Sequence, residues 1–246
     1  MIVSNVSSLP IEKIAAAAKG PLWFQLYPRE KLDENRELLD SAQAAGCRAI
    51  VVTIDQQASY YERSLHDRNL GPAGPMRRTN ARSAPGNPYR VDERRLWYEW
   101  KFFDEIRRFV KVPLLAKGIL TAEDARLCLE HGLDAVYVSN HGGRSLDYGP
   151  STLEVLPEIV EAVGGRVPVL FDSGIRRGSD ILKALALGAS AVCLGRVPRW
   201  GLGAYGAVGV QKVLEILQAE LLRAMTNSGQ PALASIDRTA VRADFP

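Results

Sequence analysis

Two side chains three residues apart, His141 and Arg144, carry the most pointed chemistry in this sequence. An imidazole titrates near neutral pH and so can take a proton from a substrate. A guanidinium presents a planar fork that grips a carboxylate through two hydrogen bonds. The pair sits in Val136-Tyr137-Val138-Ser139-Asn140-His141-Gly142-Gly143-Arg144, where a short apolar run gives way to a glycine-containing polar turn. Such a run between turn signals reads as a buried strand with functional groups at its end. Alone, the segment also reads as a solvated loop with an incidental histidine. Two further residues favour the chemical reading. Asp55 could orient the imidazole and stabilise its protonated form, and Lys117 could supply positive charge where negative charge develops. No serine or cysteine nucleophile has a neighbouring base in sequence, and no metal-ligand spacing appears. Proton and electron transfer on a phosphate-bearing cofactor remains.

A phosphate site is legible nearer the C-terminus. Asp172-Ser173-Gly174-Ile175-Arg176 and Gly195-Arg196 each join a glycine turn, which exposes backbone N–H groups, to an arginine. In parallel barrels, phosphate commonly lies at the loops after the last two strands. The competing reading is that the glycines only serve turns and the arginines are surface charge.

The elements that must position these groups alternate regularly. Strands are expected at Met1 to Ser4, Leu22 to Leu26, Ala49 to Ile54, Pro113 to Ala116, the run to Ser139, Pro168 to Phe171 and Ala191 to Leu194. Helices are expected at Ile11 to Ala18, across Leu38 to Ala45, around Leu96 to Phe109, and after Thr121, Ser151 and Ser179. A last one spans Val210 to Leu222. Ser151 with Glu154 is a capping box, and Gly46, Gly132 and Gly188 close helices. Strands separated by helices imply a parallel sheet with helical crossovers, whose functional groups collect beyond the strands' carboxyl ends. There stand Ser4, Gln25, Tyr27, Thr53, Asp55, Lys117, Ser139, His141, Asp172, Gly174, Gly195 and Arg196. The expected fold is α/β with the site at a barrel mouth.

The totals fit one such domain. A chain of 246 residues with 46% apolar and 24% charged composition can bury a sizeable core. A net charge of +3 suits a small anionic ligand and is too weak and scattered for nucleic acid. Cys47, Cys128 and Cys193 are odd in number and lie in apolar surroundings, so reduced, buried thiols and a cytoplasmic setting are expected. No apolar run is long enough to span a membrane. Residues 71–92, rich in proline, glycine and arginine, are expected to form a long surface loop, solvated rather than seated on a membrane.

With these motifs in order, the sequence resembles the FMN-dependent α-hydroxy acid oxidases and dehydrogenases, which include glycolate oxidase, lactate oxidase and mandelate dehydrogenase. The resemblance rests on Ser139 to Arg144 with Leu146-Asp147, Phe24-Gln25-Leu26-Tyr27, Thr53-Ile54-Asp55, Lys117-Gly118, Thr121 to Ala125, Asp172 to Gly178 and Lys183 to Ala189. It implies a TIM (β/α)8 barrel in one FMN-binding domain over residues 1–246, oxidising a small L-2-hydroxy acid to the 2-keto acid. It implies His141 as base, with Asp55 its partner, Arg144 and Arg63 on the substrate carboxylate, and Tyr27 reaching the substrate. Lys117 would steady the reduced flavin. Ser4, Gln25, Thr53 and Ser139 would contact its ring, Asp172 and Gly174 its ribityl chain, and Arg176, Gly195 and Arg196 its phosphate. Counting back from the phosphate-bearing pair makes Met1 to Ser4 the second strand, so the first strand and an N-terminal helical segment are expected to be absent. Val6 stands where glycolate oxidase-like members carry a bulky aromatic. Two alternatives stay open: a non-catalytic remnant of the family, or another phosphate-binding flavin barrel. Neither metal nor nucleic acid is expected, and self-association is compatible with the reading.

Overall fold

The computed structural model describes residues 1–55 and 99–243. The long loop expected at 71–92, Arg63 and the start of the helix expected around Leu96 lie outside them. Seven strands and seven α-helices alternate along the described chain. They fall into two compact units, one of Met1–Lys117 with Glu130–Asp134, the other of Gly118–Leu129 with Ala135–Pro246.

In the first unit, β1 (Ile2–Ser4), β2 (Trp23–Leu26), β3 (Ile50–Thr53) and β4 (Leu114–Ile119) are hydrogen-bonded in chain order and all parallel. Parallel neighbours need crossovers, supplied by α1 (Ile11–Ala17), α2 (Leu32–Ala44) and α3 (Lys101–Arg107). β3 reads Ile-Val-Val-Thr and is buried at every position, as a strand covered on both faces must be. Leu26, Leu39, Ile50, Ile106 and Leu114 form its solvent-free core. The Arg107 guanidinium donates to the Asp134 carboxylate at 2.7 Å, and the same carboxylate oxygen accepts the Leu114 N–H at 2.8 Å. That contact ties α3 to the start of β4.

In the second unit, β5 (Ala135–Val138), β6 (Val169–Phe171) and β7 (Ala191–Val192) are again parallel and in chain order. Their helices are α4 (Ala122–Glu130), α5 (Thr152–Val163), α6 (Gly178–Ala186) and α7 (Arg196–Asn227). The expected capping box at Ser151 and Glu154 is formed in both directions, and Gly164 ends α5 in the left-handed region. Thr121 caps α4 by accepting the Asp124 N–H. Two turns of 3-10 helix, Leu233–Ser235 and Arg238–Ala240, follow α7. No helix among the described residues is long and apolar enough to cross a membrane.

Several local expectations are corrected. Lys117 lies inside β4, because the strand continues to Ile119. Ser179 does not cap α6; that helix begins at Gly178, and the Asp180 carboxylate accepts the N–H groups of Arg176 and Arg177. The stretch Arg196–Asn227 is two helices that meet at a kink at Tyr205 and Gly206. The helix expected over Val210 to Leu222 lies within the second, the first was not expected, and Gly201 and Gly209 allow backbone-to-backbone approach across the kink. The β7 strand ends at Val192, two residues early, since Gly195 already caps the helix. None of the three cysteines forms a disulfide among the described residues, but only Cys47 and Cys128 are buried; Cys193 is half-buried.

Candidate functional site

In the first unit the register explains how polar groups gather. Ser4 pairs with Gln25, Gln25 with Val51, and, two residues further on, Thr53 with Lys117. Paired residues in a parallel sheet point to the same face, as do residues two apart on one strand. Ser4, Gln25, Thr53 and Lys117 therefore share a face at the carboxyl ends of four strands. The Ser4 hydroxyl donates to Gln25 Oε1 at 2.5 Å, and Gln25 Nε2 donates to Thr53 Oγ1 at 2.8 Å. Gln25 and Thr53 are buried while Ser4 and Lys117 are half-buried. A buried amide held by two hydroxyls is a fixed donor and acceptor, not adaptable surface polarity.

Two asparagines that the sequence reading passed over shape the loop carrying Tyr27. Buried Asn5 accepts the Tyr27 N–H at 3.2 Å through Oδ1. Asn35, fully buried on α2, accepts the Arg29 N–H at 2.7 Å and donates to the carbonyls of Arg29 and Lys31. Asparagine on an otherwise apolar helix face was the available signal. His131 is structural here: its Nδ1 lies 2.9 Å from Asp104 and its ring stacks on Trp100. Asp55 is half-buried just past β3. A cavity of about 430 Å³ lies at the opposite, N-terminal ends of β2 and β3, lined by residues such as Ala15, Lys19 and Arg48, and holds none of the candidate residues.

In the second unit the strand end at Ser139 opens into the turn that carries His141. His141 adopts φ 58°, a left-handed conformation rare for a residue with a Cβ. Its N–H is received by buried Ser139 Oγ at 3.2 Å. Gly142 follows at φ 75°, and its carbonyl accepts from the Arg196 guanidinium at 3.0 Å. A Cβ on Gly142 would come within 2.7 Å of Arg196 Nη2, so the glycine both permits the backbone and makes room for arginine. His141 and Arg144 are half-buried.

Beneath this turn, Tyr137 OH donates to Asp172 Oδ2 at 3.0 Å and Ser173 Oγ donates to Asp172 Oδ1 at 2.8 Å. The Thr152 hydroxyl holds the Asp172 carbonyl at 2.8 Å. Burial first, then the Asp172 carboxylate, pushes the Tyr137 phenol far above its ordinary value, so it stays a donor. Tyr137, Thr152 and Ser173 were not anticipated; Tyr137 read simply as one more apolar strand position. Gly174, Arg176, Gly195 and Arg196 are exposed, with Gly174 at φ 80° and open space around Gly195. The second unit thus gathers Ser139, His141, Asp172 and Arg196 around one hydrogen-bonded turn.

Parallel strands with polar groups at their carboxyl ends define an α/β protein of the (β/α)8-barrel class, and solved structures of that class superpose on it. The chain belongs to the FMN-dependent dehydrogenase family, whose sequence model matches residues 1–243. A peroxisomal (S)-2-hydroxyacid oxidase of Arabidopsis thaliana is 39% identical over 252 residues, covering 99% of this chain and 69% of that protein. A soluble mutant of the membrane-associated (S)-mandelate dehydrogenase of Pseudomonas putida superposes with a TM-score of 0.89 at 34% identity, covering 99% of this chain and 71% of that one. A mandelate oxidase with (S)-2-phenylpropionate gives 0.84 at 38% identity, covering 96% and 66%. The chain therefore spans about two thirds of the length of these relatives.

Proposed function

We propose that this chain binds FMN and oxidises a small L-2-hydroxy acid to the 2-keto acid, with residues 1–246 serving as one FMN-binding domain. The observation that carries the reading is the turn after β5: a half-buried histidine, locked in a left-handed conformation, with Arg144 three residues on, in a chain of the FMN-dependent dehydrogenase family. The residues present fit the cofactor by their chemistry. The Ser4–Gln25–Thr53 row offers the fixed donors and acceptors that the imide edge of a flavin ring takes, with Ser139 as a further contact. Gly174, Arg176, Gly195 and Arg196 offer the N–H groups and guanidiniums that suit a phosphate dianion, and Asp172 suits a ribityl hydroxyl.

FMN, when bound, accepts the two electrons that leave the α-carbon as the hydroxyl-bearing carbon becomes a ketone. Arg144 holds the substrate carboxylate, with Arg63 as the second arginine and Tyr27 at the substrate. His141 takes the substrate proton, and Asp55 stabilises the imidazolium that results. Lys117 would supply positive charge that steadies the reduced flavin. Cysteines that form no disulfide among the described residues favour a reducing compartment such as the cytoplasm.

The test is spectroscopic. Purified chain reconstituted with FMN is expected to show bound-flavin absorbance that bleaches anaerobically with L-lactate or L-mandelate. His141→Gln is expected to keep the colour and lose the bleaching. A chain that takes up no flavin overturns the reading and favours a non-catalytic family remnant.

A further inference from the structure

We infer that Ser173 and Tyr137 are positioning residues for His141, acting through a run of hydrogen bonds that converges on Asp172 and ends on the turn carrying it. The inference rests on the reading of His141 as the base, and every residue in it belongs to the second unit. The run is Tyr137 OH to Asp172 Oδ2, Ser173 Oγ to Asp172 Oδ1, and Gly142 N–H to Ser173 Oγ at 2.9 Å.

Its proton inventory allows one polarity only. The Gly142 N–H can only donate, so the Ser173 oxygen must accept it and send its single hydrogen elsewhere. That hydrogen goes to Asp172 Oδ1, while Asp172 Oδ2 accepts the phenol. Tyr137 is 3% exposed and its hydroxyl remains protonated, for the reason of burial given above. The anchor is therefore a buried ring and the free end is the peptide after His141.

Two strained residues meet in this run. His141 at φ 58° and Ser173 at φ 80° are two of the three non-glycine residues with positive φ among those described. Such conformations persist where the surroundings over-determine them, and they cluster at functional sites. Ser173 holds the Gly142 N–H, Arg196 holds the Gly142 carbonyl, and Ser139 holds the His141 N–H. Backbone dihedrals at His141 set the direction of its Cα–Cβ bond, and hence where the imidazole stands. A catalytic group displaced by about an ångström can lose about a hundredfold in rate. A serine placed at φ 80°, where glycine would sit without strain, thus supplies the acceptor that glycine lacks.

The decisive variant is Ser173→Gly, which relieves the backbone and deletes only the hydroxymethyl group. In 15N-labelled protein, the Gly142 amide is expected to exchange with solvent about tenfold faster than in the wild type, while the melting temperature holds or rises. Tyr137→Phe, which removes only the phenol oxygen, is expected to quicken the same amide by a smaller factor. In FMN-loaded protein with L-lactate, Ser173→Gly is expected to lower kcat about tenfold with KM unchanged, a split that general destabilisation would not produce. Gly142 exchange equal to wild type in Ser173→Gly overturns the inference whatever the activity. Faster exchange with unchanged kcat also overturns it, since the turn would then be loosened without consequence. A wild-type protein that binds no flavin, with the exchange difference present, instead removes the functional reading and with it the catalytic meaning of the run.

Discussion

At the scale of the residue, the site depends on groups whose conformation is paid for by their neighbours. His141 is left-handed because Ser139, Ser173 and Arg196 hold the peptides around it, and Gly142 has no side chain because Arg196 lies against it. Gln25 is buried without penalty because hydroxyls on both adjoining strands satisfy it. Arg144 is expected to act differently, on the substrate. Replacing Arg144 by Lys keeps the charge and loses the planar fork, so KM for a 2-hydroxy acid should rise about tenfold or more. Steady-state kinetics with L-lactate checks this; an unchanged KM would move the carboxylate clamp elsewhere. His141 and Arg144 could be recognised by type and spacing alone. Ser173 could not, because nothing in a serine's neighbours along the chain reveals a positive φ or a partner 31 residues away.

At the scale of the element, the strand ends aim the site and the helix contacts hold the strand ends. The α6–α7 contact is one of the closest among the described residues. Gly178, the first residue of α6, approaches α7 so closely that a Cβ there would lie 2.0 Å from the Leu221 backbone nitrogen and 2.3 Å from the Glu220 carbonyl carbon. Both obstacles are helix backbone, which cannot rotate away. Gly178→Ala is expected to cost about 3 kcal/mol or more, since α6 must move off α7. Urea unfolding followed by circular dichroism measures it, and a loss below about 1 kcal/mol would show that the helices slide apart freely. Because α6 begins six residues after Asp172, the same substitution should also weaken flavin retention.

At the scale of the whole molecule, acid is the natural probe of that contact. The Glu220 carboxylate accepts the Gly178 N–H at 2.9 Å and pairs with Arg177 at 2.8 Å, and these hold its pKa below the ordinary 4.5, the Gly178 bond contributing most. The folded chain therefore binds this proton less readily than the unfolded one. The stabilisation is complete above the ordinary glutamate value and is lost as pH falls through the depressed one. Glu220→Gln should flatten the acid limb of a stability-against-pH curve below the ordinary value of 4.5, leaving the neutral-to-alkaline limb unchanged. Differential scanning calorimetry across that range is the check, and an identical acid limb in the variant would dismiss the contact as a contributor. The sequence by itself determined the alternation of strands and helices, the caps at Ser151 and Thr121, and the polar residues at strand ends, because these follow from local periodicity and hydrogen-bonding habit. It left out the helical stretch from Arg196 to the kink at Tyr205 and Gly206, where Gly195-Arg196 read as a strand end. What only the tertiary structure decided is which polar groups meet: Gln25 with Thr53, Asn35 with the loop after β2, and Tyr137 and Ser173 with Asp172. Such contacts depend on strand register and on the face each side chain takes once parallel strands are paired, and residues distant along the chain carry no local record of either.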